Sequence, residues 1–167
     1  VYEDEPDLIE MGLAITRAIH DRYSPDLRNP YNEVECSDHY GRAAASYGVF
    51  LAACGFEYHG PEKRIGFAPR ISPEDFRAPF TVAEGWGTYR QKQTGKNMQA
   101  ELQLQYGKTS LRTLVLRMPE GAAPKSAKVL VDGKSVPCNV VNKEGRTVVE
   151  FIRDLELDEG QVLSISL

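Results

Sequence analysis

The spacing of apolar residues near the N-terminus predicts one amphipathic helix. Five apolar residues follow one another at intervals of three to four positions: Leu8, Met11, Ile15, Ile19 and Tyr23. That spacing places their side chains on one face of an α-helix. Asp4 or Glu5 with Pro6 provides the start signal. Pro25 ends the helix, because proline cannot continue it.

A second helix is predicted in a stretch without charge. Residues 43–56 contain no charged side chain. Ser37 or Asp38 is the expected N-cap, and Gly55 is the expected left-handed terminator. The run is too short to span a bilayer, so we expect a helix that is buried on all sides. Such a helix needs several neighbours, which we expect to be helices outside this polypeptide. Packing between the first helix and a sheet is the alternative.

From Ile65 onward the apolar period changes from about four to two. Ala100, Leu102, Leu104 and Tyr106 alternate with polar residues, which is typical of a strand with one buried face. Residues 107–110 are predicted to form a turn into a strand over 113–118. Four further strands are predicted at 127–131, 136–141, 147–152 and 162–167. Three turn signals separate them: Asp132–Gly133, Glu144–Gly145 and Glu159–Gly160. This pattern indicates an antiparallel β-sandwich.

Composition and charge fit this division into a helical part and a β part. The chain has 167 residues, 41% of them hydrophobic and 26% charged, which is typical of a globular protein. Residues 1–60 hold 11 acidic and 4 basic residues, against 13 and 16 in residues 61–167. We therefore expect a helical segment over 1–60 and a β-rich region over 61–167. The net charge of −4 argues against a nucleic-acid partner, no transmembrane segment is expected, and the compartment is left open.

The cysteines give no sign of a metal or disulfide framework. The chain has three cysteines, Cys36, Cys54 and Cys138, which is an odd number. No two of them form a C-x-x-C pair, so free thiols are expected. Cys36 with Asp38 and His39 lacks the spacing of a metal site. No metal and no cofactor is therefore expected.

The densest polar stretch, residues 29–42, is the candidate site. Glu33 and Glu35 are not interpreted as a pair of catalytic carboxylates. Arg42 follows Asp38 by one helical turn, and a guanidinium beside a carboxylate is suited to binding vicinal hydroxyls. The alternative is that Glu33 and Arg42 form a structural ion pair at the start of the helix.

The single tryptophan is a second candidate. Trp86 lies between Gly85 and Gly87. Its ring would suit stacking on a sugar, although a lone tryptophan flanked by glycines is more often a core residue.

Part of the chain resembles a known enzyme family. The run NPYNEVEC at residues 29–36, then HY at 39–40 and Arg42, is similar to the late signature of glycoside hydrolase family 116. That family includes the bile-acid β-glucosidase, or non-lysosomal glucosylceramidase, and bacterial β-glucosidases. Four shorter stretches continue in the family's order: ASYG at 45–48, GF at 55–56, FAP at 67–69 and GWG at 85–87. The resemblance covers about residues 8–90.

The resemblance implies a fold and a set of site residues. It implies that the last helices of an (α/α)6 catalytic barrel occupy residues 1–60. Together with the antiparallel β-sandwich that the strand pattern indicates, this gives an α+β chain. Glu33 and Arg42 would bind glucose hydroxyls, with Asn32, His39 and Trp86 as secondary candidates. The catalytic glutamate and aspartate of the retaining mechanism would lie upstream, so no catalytic residue is expected in this chain.

Two functions are consistent with these observations. In the first, the chain is the C-terminal part of a retaining β-glucosidase or glucosylceramidase-like enzyme of carbohydrate metabolism. Its substrate would be a β-glucoside or a glucosylated lipid, and its partner would be a missing N-terminal catalytic region. In the second, the chain is a non-catalytic β-sandwich module for carbohydrate binding or packing. The chain by itself is expected to be inactive in either case.

Overall fold

The computed structural model describes residues 5–22, 26, 32–33, 37–38 and 43–167. The chain divides into two compact units, Val1–Ala53 and Cys54–Leu167. The first unit contains helical segments and a short hairpin, and the second consists mainly of strands.

Helix α1 spans Pro6–Asp21, which confirms the predicted start at Pro6. Glu5 precedes it with extended backbone, and Pro6 occupies the first helical position, where its missing N–H costs nothing. Arg17 donates to Asp21 at 2.8 Å one turn later, on the exposed surface. The start of the helix therefore follows from the local signal at Pro6, whereas Pro25, its predicted stop, lies outside the described residues.

The apolar face of α1 is exposed. No residue of α1 is buried. Four residues of the predicted apolar stripe are exposed in the structure: Leu8, Met11, Ile15 and Ile19. Tyr23, the fifth, lies outside the described residues. The sequence pattern therefore identifies the apolar face correctly, and no described residue of the first unit buries it.

A short antiparallel hairpin precedes the second helix. Strand β1 spans Asn32–Glu33 and strand β2 spans Ser37–Asp38. Helix α2 spans Ala43–Cys54. The predicted N-cap at Ser37 or Asp38 is therefore wrong, because both residues lie in a strand before the helix begins. The predicted terminator is confirmed, since Gly55 has a φ of +54°.

The second unit is built from ten strands and one 3-10 turn. In chain order the elements are β3 Glu57–His59, the 3-10 turn Gly60–Glu62, β4 Arg64–Phe67, β5 Asp75–Val82, β6 Gly85–Thr94, β7 Asn97–Leu116, β8 Lys128–Val131, β9 Lys134–Ser135, β10 Cys138–Lys143, β11 Arg146–Asp158 and β12 Val162–Ser166.

Strand β7 pairs with four other strands of the unit. Residues 97–107 of β7 pair with β6, and residues 99–103 pair with β12 on the other side. Residues 108–116 pair with β11, and residues 113–116 also pair with β4. The β4–β7 pair is parallel, whereas the other pairs of this sheet in the described residues are antiparallel. All ten strands therefore belong to one connected, mixed sheet.

Two of the predicted turns are tight hairpins. Asp132 and Gly133 both have positive φ, as do Glu144 and Gly145. Each pair of residues forms the whole loop between two antiparallel strands. Positive φ at both central positions defines a type I′ turn, which matches the right-handed twist of the flanking strands. The turns predicted at Asp132–Gly133 and Glu144–Gly145 are therefore confirmed.

The core lies within the second unit. The largest side chains with almost no exposure are aromatic and branched aliphatic residues together with one methionine: Tyr89, Phe67, Phe151, Ile65, Met98, Leu102, Leu104, Leu111, Leu114, Leu116, Leu157 and Leu163. Phe67 and Tyr89 stack with ring centroids 3.8 Å apart and planes within 2° of parallel. The buried Tyr89 hydroxyl donates to Gln91 Oε1 at 2.7 Å, so its polar group is satisfied.

The predicted fold class is wrong. Strands make up 53% of the described residues, and those residues contain two α-helices, which do not amount to the end of an (α/α)6 barrel. The β region is one mixed sheet rather than an antiparallel sandwich. The barrel expectation rests on the resemblance of residues 8–90. The sandwich expectation treats residues 107–110 as a turn between two strands, whereas β7 runs through them without interruption. None of the described helices has the length and apolar character needed to cross a membrane.

Candidate functional site

The polar stretch predicted to bind sugar is described only in part. The backbone of β1 places Asn32 opposite Asp38 and Glu33 opposite Ser37. Glu35, His39 and Arg42 lie outside the described residues. The hydroxyl-binding role of Glu33 and Arg42 therefore stays a prediction, as do the secondary roles of Asn32 and His39.

The remaining candidate, Trp86, is on the surface. Its exposed fraction is 46%, so it is not a core residue. Trp86 pairs with Thr81 of β5 on one side and with Tyr106 of β7 on the other. Directly opposed residues of antiparallel strands point to the same face of the sheet. Trp86 and Tyr106 therefore form a cross-strand aromatic pair.

Tyr106 was predicted on the buried face of its strand, and that prediction is wrong. Its exposed fraction is 61%. Trp86 pairs with Tyr106 and Gly87 pairs with Leu104, so Gln105 is the extra residue of a β-bulge. A bulge reverses the alternation of the strand beyond it, because the side-chain period is two.

The burial pattern of β7 shows this reversal. Before the bulge the buried residues are even-numbered: Met98, Ala100, Leu102 and Leu104. After it, Thr109 and Leu111 are buried. Tyr106 therefore points outward with Trp86. The sequence signal that could have revealed the bulge is Gly107, which follows Tyr106 directly and has a φ of +75°.

Three glycines let the strands approach closely around the aromatic pair. A Cβ on Gly85 would lie 2.4 Å from the Tyr106 carbonyl oxygen. A Cβ on Gly87 would lie 2.2 Å from the Gln103 carbonyl oxygen, and one on Gly107 would lie 1.9 Å from the Glu84 carbonyl oxygen. These distances leave no room for a side chain at the three positions. The glycines flanking Trp86 are therefore required by the backbone that supports the ring.

Polar groups border the aromatic pair. Lys108 Nζ lies 3.9 Å from Glu84 Oε1, and both side chains are more than 60% exposed. The Lys108 backbone N–H donates to the Glu84 carbonyl oxygen at 3.1 Å, which ties β7 to the β5–β6 turn. In the same turn, the Ala83 N–H donates to the Tyr58 hydroxyl at 3.3 Å. A carboxylate and an ammonium group thus stand at the edge of the exposed rings.

Two ion-pair groups elsewhere on the unit connect distant strands. Glu57 of β3 accepts from Arg64 at 3.2 Å and also from Arg146 of β11. Asp154 of β11 forms ion pairs with Lys63 and with Arg112. The hydrogen bond from Lys63 is the main reason why the pKa of Asp154 lies below its ordinary value. Both groups are partly or fully exposed, so we assign them a structural role of modest energy.

The second unit also contains a small cleft and two cysteines. A cleft of about 180 Å³ beside Asp154 is smaller than the usual range for ligand pockets. Burial raises the pKa of the Cys54 thiol to about 11 and raises that of Cys138, so both stay protonated at neutral pH. Both thiols are free, as predicted. The described residues contain no cluster of His, Cys, Asp and Glu able to hold a metal ion.

Comparison with known proteins adds no family assignment. No family model matches the chain, and no curated protein matches it significantly. The resemblance of residues 8–90 to glycoside hydrolase family 116 therefore stays a prediction.

Proposed function

We propose that this chain is the C-terminal, substrate-binding part of a retaining β-glucosidase or glucosylceramidase-like enzyme. The enzyme would act on a β-glucoside or a glucosylated lipid. Glu33 would accept a hydrogen bond from a glucose hydroxyl, and Arg42 would donate one. The catalytic carboxylates would belong to a region that precedes this chain in the whole enzyme.

The observation that carries the proposal is the exposed apolar face of α1. Leu8, Met11 and Ile15 are each at least 46% exposed, although they share one face of a helix. A contiguous apolar face of this kind marks a surface that another polypeptide covers. Helix α2 adds to this argument, because its twelve residues contain no charge. Both features are expected of segments that complete their packing against an additional region.

The sequence motif supplies the chemistry of the proposal. Residues 29–42 carry the Asn-Glu pair, the His-Tyr pair and the arginine that resemble the sugar-binding signature of the family. A charge-assisted hydrogen bond to a buried ligand contributes about 1.5–3 kcal/mol. Loss of either Glu33 or Arg42 should therefore lower transition-state binding, while the chemical step depends on the upstream carboxylates.

The experiment uses the whole protein with its upstream region and an aryl β-glucoside as substrate. Glu33→Ala and Arg42→Ala should each lower kcat/KM by about 10- to 100-fold. Glu10→Ala is the matched control, because Glu10 is an exposed carboxylate on α1, outside residues 29–42. Its kcat/KM should stay within about twofold of that of the unaltered enzyme.

Two results would overturn the proposal. The first is that the protein with its upstream region hydrolyses no β-glucoside. The second is that Glu33→Ala and Arg42→Ala leave kcat/KM unchanged. Native mass spectrometry of the purified chain provides an independent check, because a nicked enzyme would retain a second polypeptide bound to the 18.6 kDa chain.

A further inference from the structure

We propose that Trp86 and Tyr106 form a binding platform for the pyranose rings of a glucose-type oligosaccharide. This Trp86–Tyr106 platform lies on strands β6 and β7 and involves neither Glu33 nor Arg42. The inference goes beyond the proposed enzymatic function, and it holds or fails whatever the glucosidase assay shows.

The first argument is the exposure of two neighbouring aromatic rings. Trp86 is 46% exposed and Tyr106 is 61% exposed, and the pairing of β6 with β7 puts them on one face. Burial of an aromatic ring is a large source of free energy, so two partly exposed aromatic side chains on one face offer a strong contact to a suitable ligand. A pyranose with equatorial hydroxyls has C–H groups on both faces, and these faces match an aromatic ring.

The second argument is that the backbone holds the rings in place before any ligand binds. The bulge at Gln105 turns Tyr106 outward, and Gly107 has the positive φ that this geometry requires. Gly85 and Gly87 leave no space for a Cβ, so the strand on each side of Trp86 is in close contact with its neighbours. A preorganised platform avoids much of the ordering cost of binding.

The third argument is the chemistry at the edge of the platform. Glu84 and Lys108 lie two positions from Trp86 and Tyr106 respectively, and their side chains are 67% and 61% exposed. The carboxylate accepts hydrogen bonds and the ammonium donates them, which is what sugar hydroxyls at the ring edge need. Rings in the centre with polar groups at the rim fit a sugar better than a lipid tail, which would leave the charges unused.

A protein partner is less suited to this surface. Protein interfaces need about 20–30 residues on each side, with an extended apolar centre. Here Trp86 is paired with Thr81 on its other side, and the nearby Glu84 and Lys108 are charged and exposed, so these neighbours offer little apolar surface. The platform is the size of one or two sugar rings.

The experiment uses the intrinsic fluorescence of the full chain. Trp86 is its single tryptophan, so the emission spectrum reports this platform alone. Titration with cellotetraose should shift the emission to shorter wavelength in a saturable way, because a stacked sugar displaces water from the indole. Sorbitol, which has the hydroxyls but no ring face, should leave the spectrum unchanged.

Single-residue variants test whether cellotetraose binds at the Trp86–Tyr106 platform. Tyr106→Ala keeps the fluorophore and should weaken the affinity for cellotetraose by about tenfold or more. Tyr47→Ala is the matched control, because Tyr47 is also a surface tyrosine with 45% exposure, on α2. Its affinity should equal that of the unaltered chain. Trp86→Ala, followed by saturation-transfer NMR on the saccharide, should abolish binding, while Trp86→Phe should keep part of it.

The proposal fails if cellotetraose leaves the emission unchanged at tens of millimolar, or if Tyr106→Ala and Tyr47→Ala bind it equally well. It also fails if the emission shifts with protein concentration in the absence of saccharide, since a second copy of the chain would then cover the rings. The thermal unfolding midpoint of each variant must match that of the unaltered chain, so that a change in binding is not a change in folding.

Discussion

Helix α1 and strand β7 both have a clear apolar pattern, but the apolar face of α1 is exposed and that of β7 is buried. The 16 residues of α1 include no buried side chain. The 20-residue β7 has neighbours on both sides and contributes eight apolar residues with 3% exposure or less: Met98, Ala100, Leu102, Leu104, Leu111, Leu114, Val115 and Leu116. Periodicity thus predicts which face of an element is apolar. Whether that face is buried depends on the partners that the rest of the polypeptide provides.

The difference has consequences for stability. A helix of 16 residues that buries none of its side chains is marginal in water, because its nucleation cost is recovered only by packing. The β unit carries its own core and its own hydrogen-bonded partners. We therefore expect the cooperative stability of this chain to reside in residues 54–167.

The largest expected effect comes from the same substitution placed in the two regions. Leu114→Ala, at a residue with 0% exposure in β7, should lower the free energy of unfolding by about 2–5 kcal/mol. Leu8→Ala, at a residue with 46% exposure in α1, should change it by less than about 0.5 kcal/mol. Urea denaturation followed by far-UV circular dichroism measures both values. Equal losses for the two variants would show that α1 is packed into a cooperative core.

A smaller effect is expected from glycine substitutions within the β unit. Gly107→Ala must accept the strain of a positive φ, about 1–2 kcal/mol, and also a clash with the Glu84 carbonyl oxygen. Gly133→Ala is the matched control, because Gly133 has a φ of +80° but no atom within 4 Å of its Cβ position. The thermal midpoint should fall further for Gly107→Ala than for Gly133→Ala. If the two midpoints fall equally, the close contact at the bulge is not a feature of the protein in solution.

The smallest effect concerns Asp154, whose pKa is lowered mainly by the hydrogen bond from Lys63. A lowered folded-state pKa means that the ionised carboxylate stabilises the native state above the unfolded pKa, and that this stabilisation disappears as the pH falls through the folded pKa. Asp154→Asn should therefore be slightly less stable than the unaltered chain at about pH 7 and equally stable at about pH 2. Urea titrations at the two pH values make the comparison. A difference that grows toward acid pH would contradict the assignment.

The sequence was sufficient wherever a signal is local. Pro6 defines the start of α1, Gly55 follows the end of α2, and the Asp132–Gly133 and Glu144–Gly145 pairs form the hairpin loops that they predict. Each of these residues acts through its own φ or its own missing N–H. No information about distant parts of the chain is needed to interpret them.

The sequence was not sufficient for the aromatic platform. Tyr106 continues the alternation of Ala100, Leu102 and Leu104, so the pattern alone places it on the buried face. The bulge that turns it outward depends on how β7 pairs with β6, and those pairing partners are distant in the chain. The local pattern also predicts a turn at residues 107–110, because it does not show that strand pairing continues through them in β7.

The sequence by itself determined the position of β8, β10 and β12, the tight turns and the apolar face of α1, because these follow from short-range sterics and from the period of side chains along the backbone. Tertiary structure alone decided three matters. It joined the strands into one mixed sheet through β7, it left the face of α1 exposed, and it brought Trp86 and Tyr106 together on the surface. All three depend on contacts between residues far apart in the chain, which no local pattern specifies.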